Sequence, residues 1–223
     1  MQDSFYLPAS QHDMTPLPDL LWRDTGLHRL MLSALLSRLK NQLLLENSAT
    51  QTLDAWCRQQ KLASAPAIRA VRVNSDTPAP PCPPELAEHL QLTSQNASET
   101  LRYRHVRLIC GALTLSHAEN WYRPDRLTKE MNTALETTET PFGLVTTPLG
   151  FSRRTLAEQD LWDPLPDITA GMTIPDGNNC QLHLPRFLFR HQAILKRHDA
   201  APFSAVIETY TSDLLRFTPP HIA

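Results

Sequence analysis

Two charged residues occupy strand positions whose neighbours on the same face are apolar. In LRYRHVRLIC, the alternation of a strand puts Arg104 on one side with Val106 and Leu108. In FSAVIETYT, the same alternation puts Glu208 on one side with Val206. Because an unpaired charge is costly to bury, this arrangement indicates either a structural Arg104–Glu208 ion pair or a cavity for a small acid. In such a cavity Arg104 would bind a carboxylate bidentately, and Glu208 would accept a proton or a hydrogen bond from a hydroxyl group.

The other candidates for chemistry are weaker. Arg153 and Arg154 in GFSRRTL form either a second anion clamp or an ordinary solvated pair. The nine histidines include no i,i+4 pair beside an acid, so we expect no metal, and we expect His191 and His198 at the surface or in a hairpin. Without a GxSxG elbow or a glycine-rich phosphate loop, the hydrolase and nucleotide-binding classes are excluded.

Composition restricts the partners. The chain has 223 residues, 41% of them hydrophobic and 20% charged, with a formal net charge of −2. This balance favours a folded domain and disfavours nucleic acid or an anionic membrane as a partner. The four cysteines show no ligand spacing, and we interpret them as free thiols. With no signal segment visible at the N-terminus, we expect a cytoplasmic monomer or small homo-oligomer without a membrane span.

The elements that would position these residues form an α+β pattern. We predict an N-terminal arm over residues 1–24 and one domain over residues 25–223, with a proline-rich insert at about 74–84. Helices are predicted at 27–45, after Ser48, at ELAEHLQL and at 127–135. A strand is predicted at 67–73, and two hairpins are predicted around Gly111 and around KRHDAAP. Antiparallel strand pairs with separate helices indicate an α+β fold.

The order of several segments resembles the chorismate pyruvate-lyase family. These segments are LLLENSAT, RHVRL, TPFG followed by FSRR, and a last strand that carries a glutamate, and they span roughly Leu43 to Leu215. The resemblance implies a six-stranded antiparallel sheet with helices packed on it and flaps over an internal pocket, as in the related UTRA effector-binding domains. It places the family's carboxylate-binding arginine at Arg104 and its pocket glutamate at Glu208. Its loop contacts fall on Phe142 and on Ala49, where the family has leucine and methionine.

The resemblance also implies an activity. A member of this family eliminates pyruvate from chorismate to give a hydroxybenzoate, most often 4-hydroxybenzoate for ubiquinone biosynthesis, without a cofactor. Arg104 and Glu208 would be catalytic, and Arg153 would assist binding of the chorismate-like carboxylic acid. The alternative is a non-catalytic protein that binds a small aromatic or carboxylic acid in a UTRA-like pocket. A third interpretation, a scaffold that presents APPCPP to a partner, rests on that segment alone.

Overall fold

The computed structural model describes residues 22–74, 77–92, 101–165, 177 and 179–219. The helices are α1 (Gly26–Leu45), α2 (Ala49–Gln59), α3 (Pro84–His89), α4 (Lys129–Thr137) and α5 (Phe142–Val145). The strands are β1 (Ile68–Arg72), β2 (Arg102–Cys110), β3 (Leu113–Tyr122), β4 (Ser152–Asp160), β5 (Phe187–Lys196) and β6 (Pro202–Thr211). Of the predicted arm, residues 1–21 lie outside this description.

One sheet carries all six of these strands. Their order is β1-β2-β3-β6-β5-β4, and every neighbouring pair is antiparallel. The predicted α+β class is therefore confirmed. Both predicted hairpins are present, and Gly111 links β2 to β3 with a φ of +60°, a conformation that suits glycine. Strand β4 was not predicted, because its sequence SRRTLAEQD is an edge strand with mostly exposed side chains and no apolar alternation.

Helices α1 and α2 cover one face of the sheet, called the covered face below. Val106, Leu108 and Tyr210 on that face belong to the same buried cluster as Leu53 and Trp56 of α2. The helix periodicity of α2 places these apolar side chains on one side, which fixes the helix over the sheet. The first turn of α2 is thereby held against the middle strands.

Further clusters cover the rest of the sheet. Phe142 of α5 and Phe151 pack around Phe203, with α4 beside them. On the opposite face Leu86 of α3 packs against Ile194 of β5. The proline-rich insert follows this face as well, since the Trp121 indole donates a hydrogen bond to the Pro80 carbonyl at 2.9 Å.

Two of the cysteines do not have the predicted state. Cys57 of α2 and Cys110 of β2 form a disulfide, with Cα atoms 6.7 Å apart, so the prediction of free thiols is wrong for this pair. The two residues lie on elements that pack together in the core, a proximity that 53 residues of sequence separation conceal. Disulfides are rare in reducing compartments, so this pair removes one of the two reasons for expecting a cytoplasmic location. Within the described ranges, no helix combines the length and the apolar composition needed to cross a bilayer.

Candidate functional site

A small cavity lies between the start of α2 and the covered face. It contains about 40 Å³ of space, enough for a few water molecules. Residues 47–50 form one wall and α5 contributes Phe142 and Gly143, while Arg153 and Glu208 reach it from the sheet. Valine, leucine, alanine and phenylalanine side chains supply most of the remaining wall. The cavity therefore combines a few polar groups with an apolar lining, which is typical of small-molecule sites.

A buried ion pair forms the polar wall on the sheet side. Arg153 Nη2 donates to Glu208 Oε2 at 2.7 Å, and the two side chains are only 3% and 10% exposed. The Tyr210 hydroxyl donates to the same oxygen at 3.1 Å. Burial acts to lower the pKa of the Arg153 guanidinium, but the interactions with Glu208 and Tyr210 together outweigh it, and the pKa is raised. Arg153 is therefore a fixed cation inside the protein.

The pair leaves hydrogen-bonding capacity unused. Within the described part of the chain, Arg153 Nε and Nη1 are buried and have no hydrogen-bond partner. Glu208 accepts two side-chain hydrogen bonds from the described residues, and both are at Oε2. None of these bonds is at Oε1. Because buried polar groups without partners are costly, these atoms indicate a site that a polar ligand would complete.

The start of α2 adds further donors. Ser48 has an extended backbone and precedes the helix, but its side chain makes no cap hydrogen bond. Its hydroxyl is buried without a partner among the described residues. The first hydrogen bonds to the Ser48 carbonyl come from Gln51 and Thr52, so the N–H groups of Ala49 and Thr50 precede the intrahelical ladder. A helix N-terminus of this kind favours an anion.

Arg104 and Glu208 are both buried on the covered face, as the strand alternation predicts, but they do not meet. Arg104 Nε donates to the Leu135 carbonyl at 3.2 Å, and Nη2 donates to the Thr140 carbonyl at 3.1 Å. Glu208 pairs with Arg153 instead, so the proposed Arg104–Glu208 ion pair does not form. Arg104 also does not line the cavity of Glu208, although its neighbour across the strands, Asn120, does. The sequence could not show that α4 ends beside Arg104, where Leu135 and Thr140 accept hydrogen bonds from two of its donors.

Ala49, Phe142 and the two neighbouring arginines are the other residues predicted for the site. Ala49 and Phe142 both line the cavity together with Glu208. Of the two neighbouring arginines, the side chain of Arg153 is buried and Arg154 is exposed, because successive residues of β4 point to opposite faces. The alternative of an ordinary solvated pair therefore fits Arg154 but not Arg153, and the alternative of an anion clamp stays a prediction.

His191 lies in a strand of the second hairpin, which is one of its two predicted positions, but it is buried in the core and not at the surface. It is fully buried on β5, paired across the strands with Glu208, and its ring lies 5.5 Å from that of Tyr210. Burial and then the Arg153 charge lower its pKa to about 4, so the ring is neutral near pH 7. His198 is exposed in the β5–β6 connection. In the described ranges, no three histidine, cysteine, aspartate or glutamate side chains are grouped as metal ligands.

Sequence reasoning missed the polar residues around the start of α2. Asn47 accepts a hydrogen bond from the Arg153 backbone N–H at 3.1 Å, which joins the start of α2 to β4. Asn120 is buried on β3 and borders the cavity. The available signal was the N-cap position of Ser48, which marks the start of a helix but not what that start faces.

Fold and site together define a single-sheet α+β protein with an internal polar cavity beneath a helix N-terminus. The chain is 41% identical over 202 residues to the uncharacterized protein y4mC of Sinorhizobium fredii (strain NBRC 101917 / NGR234). The match covers 89% of this chain and 83% of y4mC, and this chain belongs to the same family as y4mC. No family model matches the chain.

Solved structures give a more distant likeness. The effector domain of PhnF from Mycobacterium smegmatis is 15% identical with a TM-score of 0.46, over 79% of this chain and 96% of that domain. The PhnF structure from the same organism is 15% identical with a TM-score of 0.47, over 80% of this chain and 69% of that one. Both TM-scores are below 0.5, so the likeness is a distant one.

Proposed function

We propose that this protein binds a small hydroxy-carboxylic acid in the cavity between α2 and the sheet. The observation that carries the proposal is the meeting of two kinds of donor in one enclosed space. These are the first N–H groups of α2 and the unused Nε and Nη1 of the buried Arg153. A carboxylate would satisfy both, and its charge would be stabilised by the helix N-terminus.

Glu208 sets a second requirement for the ligand. Because Oε2 is already bonded to Arg153 and Tyr210, the remaining oxygen, Oε1, is suited to accept a hydrogen bond from a ligand hydroxyl. A second carboxylate at that position would be repelled. The ligand therefore has one acidic end and one hydroxyl donor.

The lining favours an aromatic or otherwise apolar body between these two groups. Phe142 and Phe151 border the cavity together with aliphatic side chains. A space of about 40 Å³ is smaller than an aromatic ring needs, so binding requires α5 to move outward with Phe142. Helix α5 has four residues and is the smallest of the described elements around the cavity, which makes it the segment expected to shift.

Calorimetric titration with three probes tests the proposal. 4-Hydroxybenzoate should bind, benzoate should bind about tenfold more weakly because it lacks the hydroxyl group, and 4-hydroxybenzyl alcohol should not bind measurably. The variant Glu208→Gln should reduce the difference between the first two probes. Equal binding of the acid and the alcohol would contradict the proposed carboxylate site.

A second candidate function is the elimination of pyruvate from chorismate to give 4-hydroxybenzoate. It is supported by the positions that the family resemblance selects, since Ala49, Phe142 and Glu208 line one cavity although they lie far apart in the sequence. In this mechanism the cavity would exclude water and Glu208 would orient the ring hydroxyl. The position of Arg104 outside the cavity, and the pairing of Glu208 with Arg153, favour binding over catalysis.

An absorbance assay separates the two functions. Purified protein is incubated with chorismate, and formation of 4-hydroxybenzoate is followed in the ultraviolet. Product that forms in proportion to the protein, and is lost in Glu208→Gln, would establish the lyase activity. A flat trace from protein that binds 4-hydroxybenzoate would establish a binding protein.

A further inference from the structure

A second concave site lies on the same face of the sheet, outside the cavity described above. It is a groove of about 390 Å³ at the end of α4. The groove is lined by Arg72, Arg102, Tyr103, Arg104, Tyr122 and Glu136. None of these residues lines the cavity of Glu208, so the two sites are distinct.

The strand register brings the three arginines together. Arg102 and Arg104 are two residues apart on β2 and therefore share a face. Arg72 pairs with Val106 across β1 and β2, which places it on that same covered face. Tyr122 lies opposite Arg102 on β3.

The C-terminal end of α4 compensates part of the positive charge of these three arginines. Arg72 Nη2 and Arg104 Nε both donate to the Leu135 carbonyl, at 2.7 Å and 3.2 Å. Carbonyl groups at a helix C-terminus carry partial negative charge and attract cations. Arg102 forms an ion pair with Glu136, which is the one carboxylate among the described residues that line the groove.

The described residues do not balance the remaining charge of the groove. Among them, three guanidinium groups face one carboxylate, which leaves two positive charges. Arg104 is 3% exposed, and its Nη1 is buried without a hydrogen-bond partner among the described residues. Burial, and to a smaller extent the charge of Arg72, lowers the pKa of Arg104 to about 10.

We propose that this groove binds a tetrahedral dianion, either free phosphate or the phosphoryl group of a small molecule. Guanidinium groups present several N–H donors in a planar arrangement that matches phosphate oxygens. A dianion would neutralise the two excess charges and give Arg104 Nη1 an acceptor. The Tyr122 side chain lines the same groove, close enough to the three arginines for their charges to act on its hydroxyl group.

The Arg102–Glu136 pair offers a matched test, because either single substitution breaks the same ion pair. Both partners are about half exposed, at 53% and 43%, so the protein should fold in either case. Arg102→Gln should weaken binding of inorganic phosphate about tenfold, since it removes a charged donor. Glu136→Gln should strengthen it severalfold, since it removes the competing carboxylate and frees Arg102.

Calorimetry at constant ionic strength and pH 8 measures these affinities for inorganic phosphate, glycerol phosphate and sulfate. Tighter binding of the ester than of phosphate would identify a phosphorylated small molecule as the ligand class, and the reverse order would identify free phosphate. Opposite shifts in the two variants, with Ser48→Ala unchanged, would support a dianion site in the groove. Absence of saturable binding, or shifts of the same sign in both variants, would overturn the proposal.

Discussion

The Arg153–Glu208 pair should be essential to stability, and its loss should be far more damaging than the loss of a surface pair. The side chains are 3% and 10% exposed, so the substitution Arg153→Met leaves the Glu208 carboxylate buried beside Tyr210 without its cation. Breaking a buried pair in this way costs about 3–5 kcal/mol. That is a large part of the roughly 5–15 kcal/mol by which such domains are stable.

The double variant Arg153→Met/Glu208→Gln isolates the charge effect. Glutamine retains an oxygen that can accept the Tyr210 hydrogen bond but carries no charge. Replacement of both charged partners of a buried pair is much less costly than removal of one, so the double variant should recover about 2 kcal/mol relative to Arg153→Met alone.

Urea denaturation followed by circular dichroism measures these differences. The Arg69–Glu139 pair is the control, because its atoms approach to 2.9 Å but its side chains are 55% and 56% exposed. Arg69→Met should change the free energy of unfolding by less than about 1 kcal/mol. If Arg153→Met is equally mild, or if the double variant is the less stable one, then burial does not control this interaction and the reasoning is refuted.

Three further predictions concern His191, Gly143 and the disulfide between Cys57 and Cys110. His191 has a pKa of about 4 in the folded protein, below its ordinary value, so the unfolded chain takes up the proton first and stability falls as the pH drops from about 6.5 towards 4. Between pH 6.5 and pH 4.5, the free energy of unfolding measured by urea titration should fall by about 2 kcal/mol less in His191→Leu than in the parent protein. An identical pH dependence in the two proteins would contradict this. A Cβ on Gly143 would lie 2.9 Å from Ser48 Oγ and would displace this hydroxyl group. Gly143→Ala should therefore weaken 4-hydroxybenzoate binding severalfold, with little change in the urea midpoint. Unchanged affinity would argue against Ser48 as a donor. Peptide mapping without reductant should recover Cys57 linked to Cys110, and replacing both by alanine should cost about 4 kcal/mol in urea denaturation; recovery of two separate thiols would rule the link out.

Much of the fold could be predicted because it depends on local patterns. Apolar residues recur with helical spacing in α1 and α2, and the turn chemistry of Gly111 and KRHDAAP separates the strands of two hairpins. Strand β4 escaped prediction for a physical reason. It pairs with only one neighbour and exposes most of its side chains, so no apolar periodicity was needed to form it.

The sequence by itself determined that Arg104 and Glu208 each share a strand face with apolar residues, because a strand has a period of two. Which charges meet was decided only by the tertiary structure. The last turn of α4 and the segment that follows it each accept a hydrogen bond from Arg104, and the edge strand β4 brings Arg153 to Glu208 across the covered face. These contacts join residues that are 31, 36 and 55 positions apart, and local periodicity contains no information about such distances. The position of Ser48 at the start of a helix could be predicted from the sequence. Only the packing of α2 against the sheet places this helix N-terminus beside the same cavity as the buried guanidinium of Arg153.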